Sequence, residues 1–223
     1  MSAGSTGSAL RPVSALLRCC HPAPVAAVTI LSGLIAYAVG HRTAGVLLVA
    51  GVVGTSQLAV GWANDAIDAD RDRAVRRADK PLALEWPQGR PWVATAALIA
   101  SLAMIALAVS STRPLAAGAA VVGLVSAQLY NWPLKGTVFS IVPYLVSFAA
   151  IPMFIIAAVP ATPPGQLVVA AACFGGAAHL LNAVPDLEMD DATGVRGLPQ
   201  RLGESRARAA GAILTGLAVF ALL

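Results

Sequence analysis

All eleven acidic residues of this chain fall in two short clusters, Asp65 to Glu85 and Asp186 to Glu204, separated by a long apolar stretch. The first opens Asn64-Asp65-Ala66-Ile67-Asp68-Ala69-Asp70-Arg71-Asp72, the second Asn182-Ala183-Val184-Pro185-Asp186-Leu187-Glu188-Met189-Asp190-Asp191. On an α-helix Asp65, Asp68 and Asp72 stand at i, i+3 and i+7 and share one face, a column about 10 Å long with Asn64 beside it. Asn182, Asp186 and Asp190 recur every four residues and form a second stripe, from which Glu188 and Asp191 point away. Carboxylates gathered this closely repel unless a cation lies among them, and hard divalent ions with oxygen ligands fit best. Mg2+ takes a couple of carboxylates and completes its shell with water and phosphate oxygens. Arg71, Arg73, Arg76, Arg77, Lys80, Lys135, Arg196 and Arg201 lie in or between the clusters. Two acidic stripes facing one another among such cations would hold a metal-bridged phosphate or diphosphate. The bland alternative is a pair of solvated loops whose acids pair with neighbouring arginines; Asp70, Asp79, Glu85, Glu188, Asp191 and Glu204 fit that description individually.

Helices must position these groups, and composition says where the helices lie. With 57% hydrophobic residues, 12% charged residues and a mean hydropathy of +0.75, the chain falls in the membrane class. Apolar runs near 25–40, 44–62, 93–111, 115–130, 138–159, 166–184 and 207–223 approach or reach the length that spans about 30 Å of hydrocarbon at roughly 1.5 Å per residue. They are rich in Ala, Val, Leu and Gly and lack the period-2 alternation of a membrane β-strand, so an all-α, multi-pass helical bundle is expected. Both acidic clusters then fall at helix ends.

Charge asymmetry predicts the orientation. With the N-terminus inside, Arg11, Arg18, Arg71, Arg73, Arg76, Arg77, Lys80, Arg90, Lys135, Arg196, Arg201, Arg206 and Arg208 lie on the cytoplasmic side, and only Arg42 and Arg113 outside. Both acidic clusters and the connection from Tyr130 to Lys135 are thereby expected on the cytoplasmic face. The isoelectric point near 9.3 follows from this topology and from attraction to anionic headgroups, so nucleic acid is not a partner and the lipid bilayer is. Residues 1–22 read as a flexible cytoplasmic tail without a targeting layout, leaving 23–223 as the membrane domain. Cys19, Cys20 and Cys173 provide neither a disulfide framework nor zinc spacing and read as packing residues.

The motifs resemble those of the UbiA superfamily of intramembrane prenyltransferases. Asn64 to Asp72 matches its N-D-x-x-D-x-x-x-D pattern, with Lys80-Pro81 as the downstream K-P. Asp186 to Gly203 matches D-x-x-x-D-x-x-x-G with the trailing L-P…G. Leu129-Tyr130-Asn131-Trp132-Pro133-Leu134-Lys135 is similar to the family's Y-x-x-P-x-K connection. The resemblance implies a helical bundle around a membrane-buried cavity that binds Mg2+ and the diphosphate of an isoprenoid donor, with the polyprenyl tail along apolar helix surfaces. It implies Asp65, Asp68, Asp72, Asp186 and Asp190 as metal ligands, and Asn64, Arg71, Lys80, Tyr130, Lys135 and Asn182 as diphosphate contacts. Asp68, Asp186 and Lys135 are the residues expected to carry catalysis. The implied reaction is prenyl transfer to an aromatic acceptor; no base is assigned, although His179 lies near the second stripe. The high Ala, Arg and Gly content points to a bacterial plasma membrane as its location.

Other readings are a cyclase acting on the donor alone, a cation path, and a non-catalytic membrane protein. The CDP-alcohol phosphotransferase pattern fails because Ala69, not Gly, follows Asp68. Superfamily members commonly have about nine spanning helices against the seven runs counted, so a C-terminally incomplete bundle with weak activity is a further expectation.

Overall fold

The computed structural model describes residues 6–223, and among them all regular structure is helical. The helices are α1 (Thr6–Cys19), α2 (Pro22–Ala38), α3 (Thr43–Ala74), α4 (Pro81–Leu84), α5 (Arg90–Ser111), α6 (Pro114–Asn131), α7 (Ile141–Ala157), α8 (Gly165–Ala183), α9 (Leu187–Ala192) and α10 (Leu198–Phe220). Proline occupies the first turn of α2, α4, α5, α6 and α10, where its missing N–H would have had no helical partner. The seven apolar runs become α2, α3, α5, α6, α7, α8 and α10. Segments 43–74, 87–110, 138–157 and 165–192 are each long and apolar enough to cross a membrane, and α1 with α2, bent by 55°, forms a fifth candidate. The chain is thus an integral, multi-pass helical bundle.

The tightest pairings are α3 with α5, α6 with α7, α7 with α8, and α8 with α10, while α2 lies along α3. A central cluster of Val49, Val52, Met104, Leu124, Phe154 and Ile155 joins α3, α5, α6 and α7. Small residues set the spacing: a Cβ at Gly175 on α8 would stand 2.6 Å from the Tyr144 carbonyl oxygen of α7. At about 1.5 Å per residue, the 32 residues of α3 reach about 48 Å, well beyond the hydrocarbon thickness. Its last third, which carries the first acidic motif, therefore projects past the apolar core.

The expected loose tail over 1–22 gives way to a folded element. Residues 1–5 lie outside the described residues, but 6–19 form α1, with Ala15 and Cys19 fully buried. Cys19 packs with Ala66, Ala69, Leu82 and Val93, next to Leu16, Trp62 and Trp86. The Trp62 indole N–H donates to the Leu16 carbonyl at 2.8 Å, and Arg18 pairs with Glu85. The spacing of Ala15, Leu16 and Cys19 gives α1 an apolar stripe one turn long, and burying it against α3 and α4 holds the helix in place. The Trp62 ring is drawn into this contact, whereas Trp92 and Trp132 are exposed.

Candidate active site

The projecting end of α3 presents Asp65, Asp68 and Asp72 inward, at 2%, 6% and 4% exposure, while Asp70 faces out and pairs with Arg90 at 2.6 Å. Beyond Ala74 the chain makes a tight reversal. Arg76 adopts φ +53°, the Arg76 N–H donates to the Arg73 carbonyl at 3.1 Å, and the Arg77 N–H donates to the Asp72 carbonyl at 3.0 Å. This Schellman turn satisfies the helix's last carbonyls and throws Arg77 back over the carboxylate column.

The second motif is built differently from the regular four-residue stripe expected of it. Pro185 has no N–H to continue α8, so Val184–Asp186 tighten into a 3-10 turn before α9 resumes. Asn182, Asp186 and Asp190 nevertheless face the same cavity as the first motif. After α9, Gly194 at φ +76° and a 2.9 Å bond from the Val195 N–H to the Asp190 carbonyl repeat the α3 ending.

Between the motifs lies a cavity of about 500 Å3. Asp68 and Asp72 line one side and Asp186 and Asp190 the other, with Asn64, Asn182, Arg71, Arg77, Lys80, Lys135 and Tyr130 around them. Arg73, Arg76, Arg196 and Arg201 do not line it. Asp68 Oδ2 accepts from Arg71 at 2.6 Å and from the Lys135 ammonium. Burial pulls the Lys135 ammonium below its ordinary value, an effect that the adjacent Asp68 carboxylate only partly offsets. Arg77 grips Asp79 with two bonds, 3.1 and 2.7 Å, which hold the Asp79 carboxyl below the usual range. Asp190 Oδ2 accepts from Gln200 at 2.7 Å, and Asn64 donates to Asn131 Oδ1 at 3.2 Å.

The deeper wall is aromatic. Tyr144 packs against His179 with ring centroids 4.6 Å apart, and Tyr130 meets Tyr144 edge-on at 4.9 Å. His179 Nε2 and Ser140 Oγ are 3.0 Å apart, and that hydroxyl also accepts the Leu198 N–H at 3.0 Å. Gln57 lines this cavity and also a second, apolar chamber of about 100 Å3, walled by Val52, Met104, Leu124, Ala120 and Phe154 among others.

Of the residues expected as metal ligands, diphosphate contacts or catalytic groups, Asp65 alone is not part of the cavity lining. The elbow between α1 and α2 covers it; its Oδ1 accepts from Lys80 at 2.7 Å, and His21 Nε2 lies 2.9 Å from the same oxygen. No group of three or more His, Cys, Asp or Glu side chains converges on a ready-made metal site among the described residues. Cys20, His21, Asp79, Asn131, Tyr144 and Gln200 line the cavity without having been picked out. Asn131 and Gln200 lie inside the motifs, a signal that was available; His21 and Cys20 carried none.

Residues 26–223 match the UbiA prenyltransferase family. The chain belongs to that family. Two solved structures share the fold. One is a UbiA homolog from Archaeoglobus fulgidus bound to DMAPP and Mg2+, 18% identical, with a TM-score of 0.71 over 92% of this chain and 75% of that one. The other, a UbiA homolog from Archaeoglobus fulgidus bound to GPP and Mg2+, is also 18% identical, with a TM-score of 0.73 over 93% of this chain and 76% of that one. No curated protein matches the chain. The three UbiA-type motifs thus converge on one cavity, to which His21 and Cys20 are added from a segment preceding the family match.

Proposed function

We propose that this chain transfers a prenyl group from an allylic isoprenoid diphosphate to an aromatic acceptor within the membrane, with Mg2+ as cofactor. The observation that carries the proposal is the meeting of Asp68 and Asp72 with Asp186 and Asp190 in one cavity, among Arg71, Arg77, Lys80 and Lys135. The donor set suits a hard cation: four carboxylates, with the Asn64 and Asn182 amides beside them. Because Mg2+ retains water and shares phosphate oxygens, one or two carboxylates for each ion suffice, and a preassembled cluster is not required. Asp68, Asp72, Asp186 and Asp190 would hold it. When bound, Mg2+ neutralises charge on the departing diphosphate.

The protein groups supply the rest. Lys135 and Arg71 reach the same Asp68 oxygen and so stand where a diphosphate bound beside that carboxylate gains its negative charge. The C–O bond of the donor breaks with both electrons going to the diphosphate, leaving an allylic cation. Tyr130, Tyr144 and His179 wall off the cavity beneath and limit the water that would quench that cation. The acceptor ring attacks the allylic carbon and then loses a proton. The apolar chamber past Gln57 supports a place for the first part of the tail. The lysine and arginine asymmetry favours a cavity that faces the cytoplasm.

The test is release of diphosphate from geranyl, farnesyl and geranylgeranyl diphosphate by the detergent-purified chain, with and without a panel of aromatic acids. Release that needs an aromatic acid, stops with EDTA, returns with Mg2+ and is abolished by Asp68→Asn or Asp186→Asn is expected. Release of a cyclised product from the donor alone would replace transfer with cyclisation. No release from a folded chain would overturn the proposal.

A further inference from the structure

The first acidic motif contributes one carboxylate that the cavity does not use. Asp65 is 2% exposed, does not line the cavity, and lies under the elbow where α1 meets α2. Its Oδ1 accepts from Lys80 Nζ at 2.7 Å. His21 Nε2 stands 2.9 Å from the same oxygen and 3.0 Å from Lys80 Nζ, so the three polar atoms form a closed triangle. An ammonium can only donate, so with Lys80 charged both Asp65 Oδ1 and His21 Nε2 are its acceptors, and the 2.9 Å between those two atoms is a contact that their shared donor holds together. Both acceptors stand on one side of the ammonium, which leaves N–H groups on its other side for an anion in the cavity, whose wall both Lys80 and His21 line.

The elbow is fixed in place from several directions. His21 itself adopts φ +57°, uncommon for a residue with a side chain. The Cys20 carbonyl oxygen would lie 2.5 Å from a Cβ at Gly61. Trp62 and Arg18 tie α1 to α3 and to Glu85. These contacts come from residues preceding position 26, where the family match begins.

We infer that His21 and Asp65 are positioning residues that hold Lys80 on the cavity wall as an anchor for diphosphate, and that Asp65 is not a metal ligand. This rests on the diphosphate reading of the cavity. A lysine side chain has several rotatable bonds, and ordering its ammonium before the anion arrives removes part of the entropic cost of binding. The N-terminal helix thereby belongs to the substrate site and is more than a cover for it.

The experiment measures binding of inorganic diphosphate to the detergent-purified full chain with Mg2+ present, and then the Mg2+ midpoint at saturating diphosphate. Asp65→Asn, His21→Ala and Lys80→Met should each weaken diphosphate binding, Asp65→Asn and Lys80→Met by about tenfold or more. Asp65→Asn should leave the Mg2+ midpoint unchanged, whereas Asp68→Asn raises it. Adding Asp65→Asn to Lys80→Met should bring no further loss, because both act through one ammonium. Circular dichroism and elution volume report folding; should Asp65→Asn fail to fold, His21→Ala leaves the Asp65 to Lys80 pair intact and reads the same loss. A Mg2+ midpoint raised by Asp65→Asn would make Asp65 a ligand. Unchanged diphosphate affinity in a folded His21→Ala or Asp65→Asn chain, or additive losses in the double variant, would also overturn the inference. Unsubstituted protein that binds no diphosphate would overturn the reading of the cavity, and the anchor with it.

Discussion

Asp72 and Asp190 hold equivalent places in the two motifs: each is the last aspartate of its D-x-x-x-D, and each backbone carbonyl accepts the closing bond of a left-handed turn. The donors are the Arg77 N–H at 3.0 Å and the Val195 N–H at 2.9 Å. Four residues after each aspartate stands the left-handed residue, Arg76 in one case and Gly194 in the other. The same local device therefore ends both helices whose carboxylates line the cavity and points the following chain back toward it. It links the spacing in the sequence directly to the enclosure of the site.

Because that turn requires positive φ, the two positions should respond oppositely to substitution. Gly194→Ala should destabilise the folded chain by about 1–2 kcal/mol, the cost of a Cβ in the left-handed region. Arg76→Gly relieves the same strain and should not destabilise it. Unfolding of both variants in detergent, followed by circular dichroism against temperature, checks the pair.

Lys135 should matter far more to turnover than to folding. If its ammonium neutralises the leaving diphosphate, Lys135→Met should lower the rate of diphosphate release by about 10²–10³-fold. The same change strips the buried Asp68 carboxylate of one of its two cations. Stability lost in Lys135→Met should therefore be partly restored by adding Asp68→Asn, which removes the charge left behind. Initial rates for the single variant and melting temperatures for both report the two effects separately.

Gly61 is the contact on which the α1–α2 elbow rests. A Cβ there would stand 2.5 Å from the Cys20 carbonyl oxygen, a backbone atom with little room to move. Gly61→Ala should cost about 1–3 kcal/mol as an overpacking change. It should also loosen α1, seen as faster amide hydrogen exchange in residues 11–19 than in the unsubstituted chain.

The chamber below Gln57 has a volume of only about 100 Å3 and is closed by Met104 and Phe154, at 0% and 2% exposure. Filling it with Ala120→Phe should penalise longer donors most. The kcat/KM for farnesyl relative to dimethylallyl diphosphate is expected to fall at least about tenfold, the scale on which lost space in an apolar pocket discriminates. An unchanged ratio would place the tail elsewhere, along the lipid-facing helix surfaces.

The long helices and the polar groups at their ends were legible in local sequence. An apolar run of spanning length is local information, and so is the spacing of Asp68 with Asp72 or of Asp186 with Asp190. That is why seven runs became seven long helices and why the two motifs could be named before any contact was known. Tertiary structure decided which carboxylates share the cavity. By helical phase Asp65 belongs with Asp72, yet it is covered by an elbow 44 residues away in sequence, where His21 waits for it. Lys135 reaches Asp68 across 67 residues, and no periodicity in either segment encodes that meeting. The folding of residues 6–19 onto α3 likewise depends on a groove made by Ala66, Ala69 and Leu82. Local spacing fixes which face of a helix a side chain takes; only packing fixes what stands opposite, because the partners come from distant segments brought together by burying the same apolar surface.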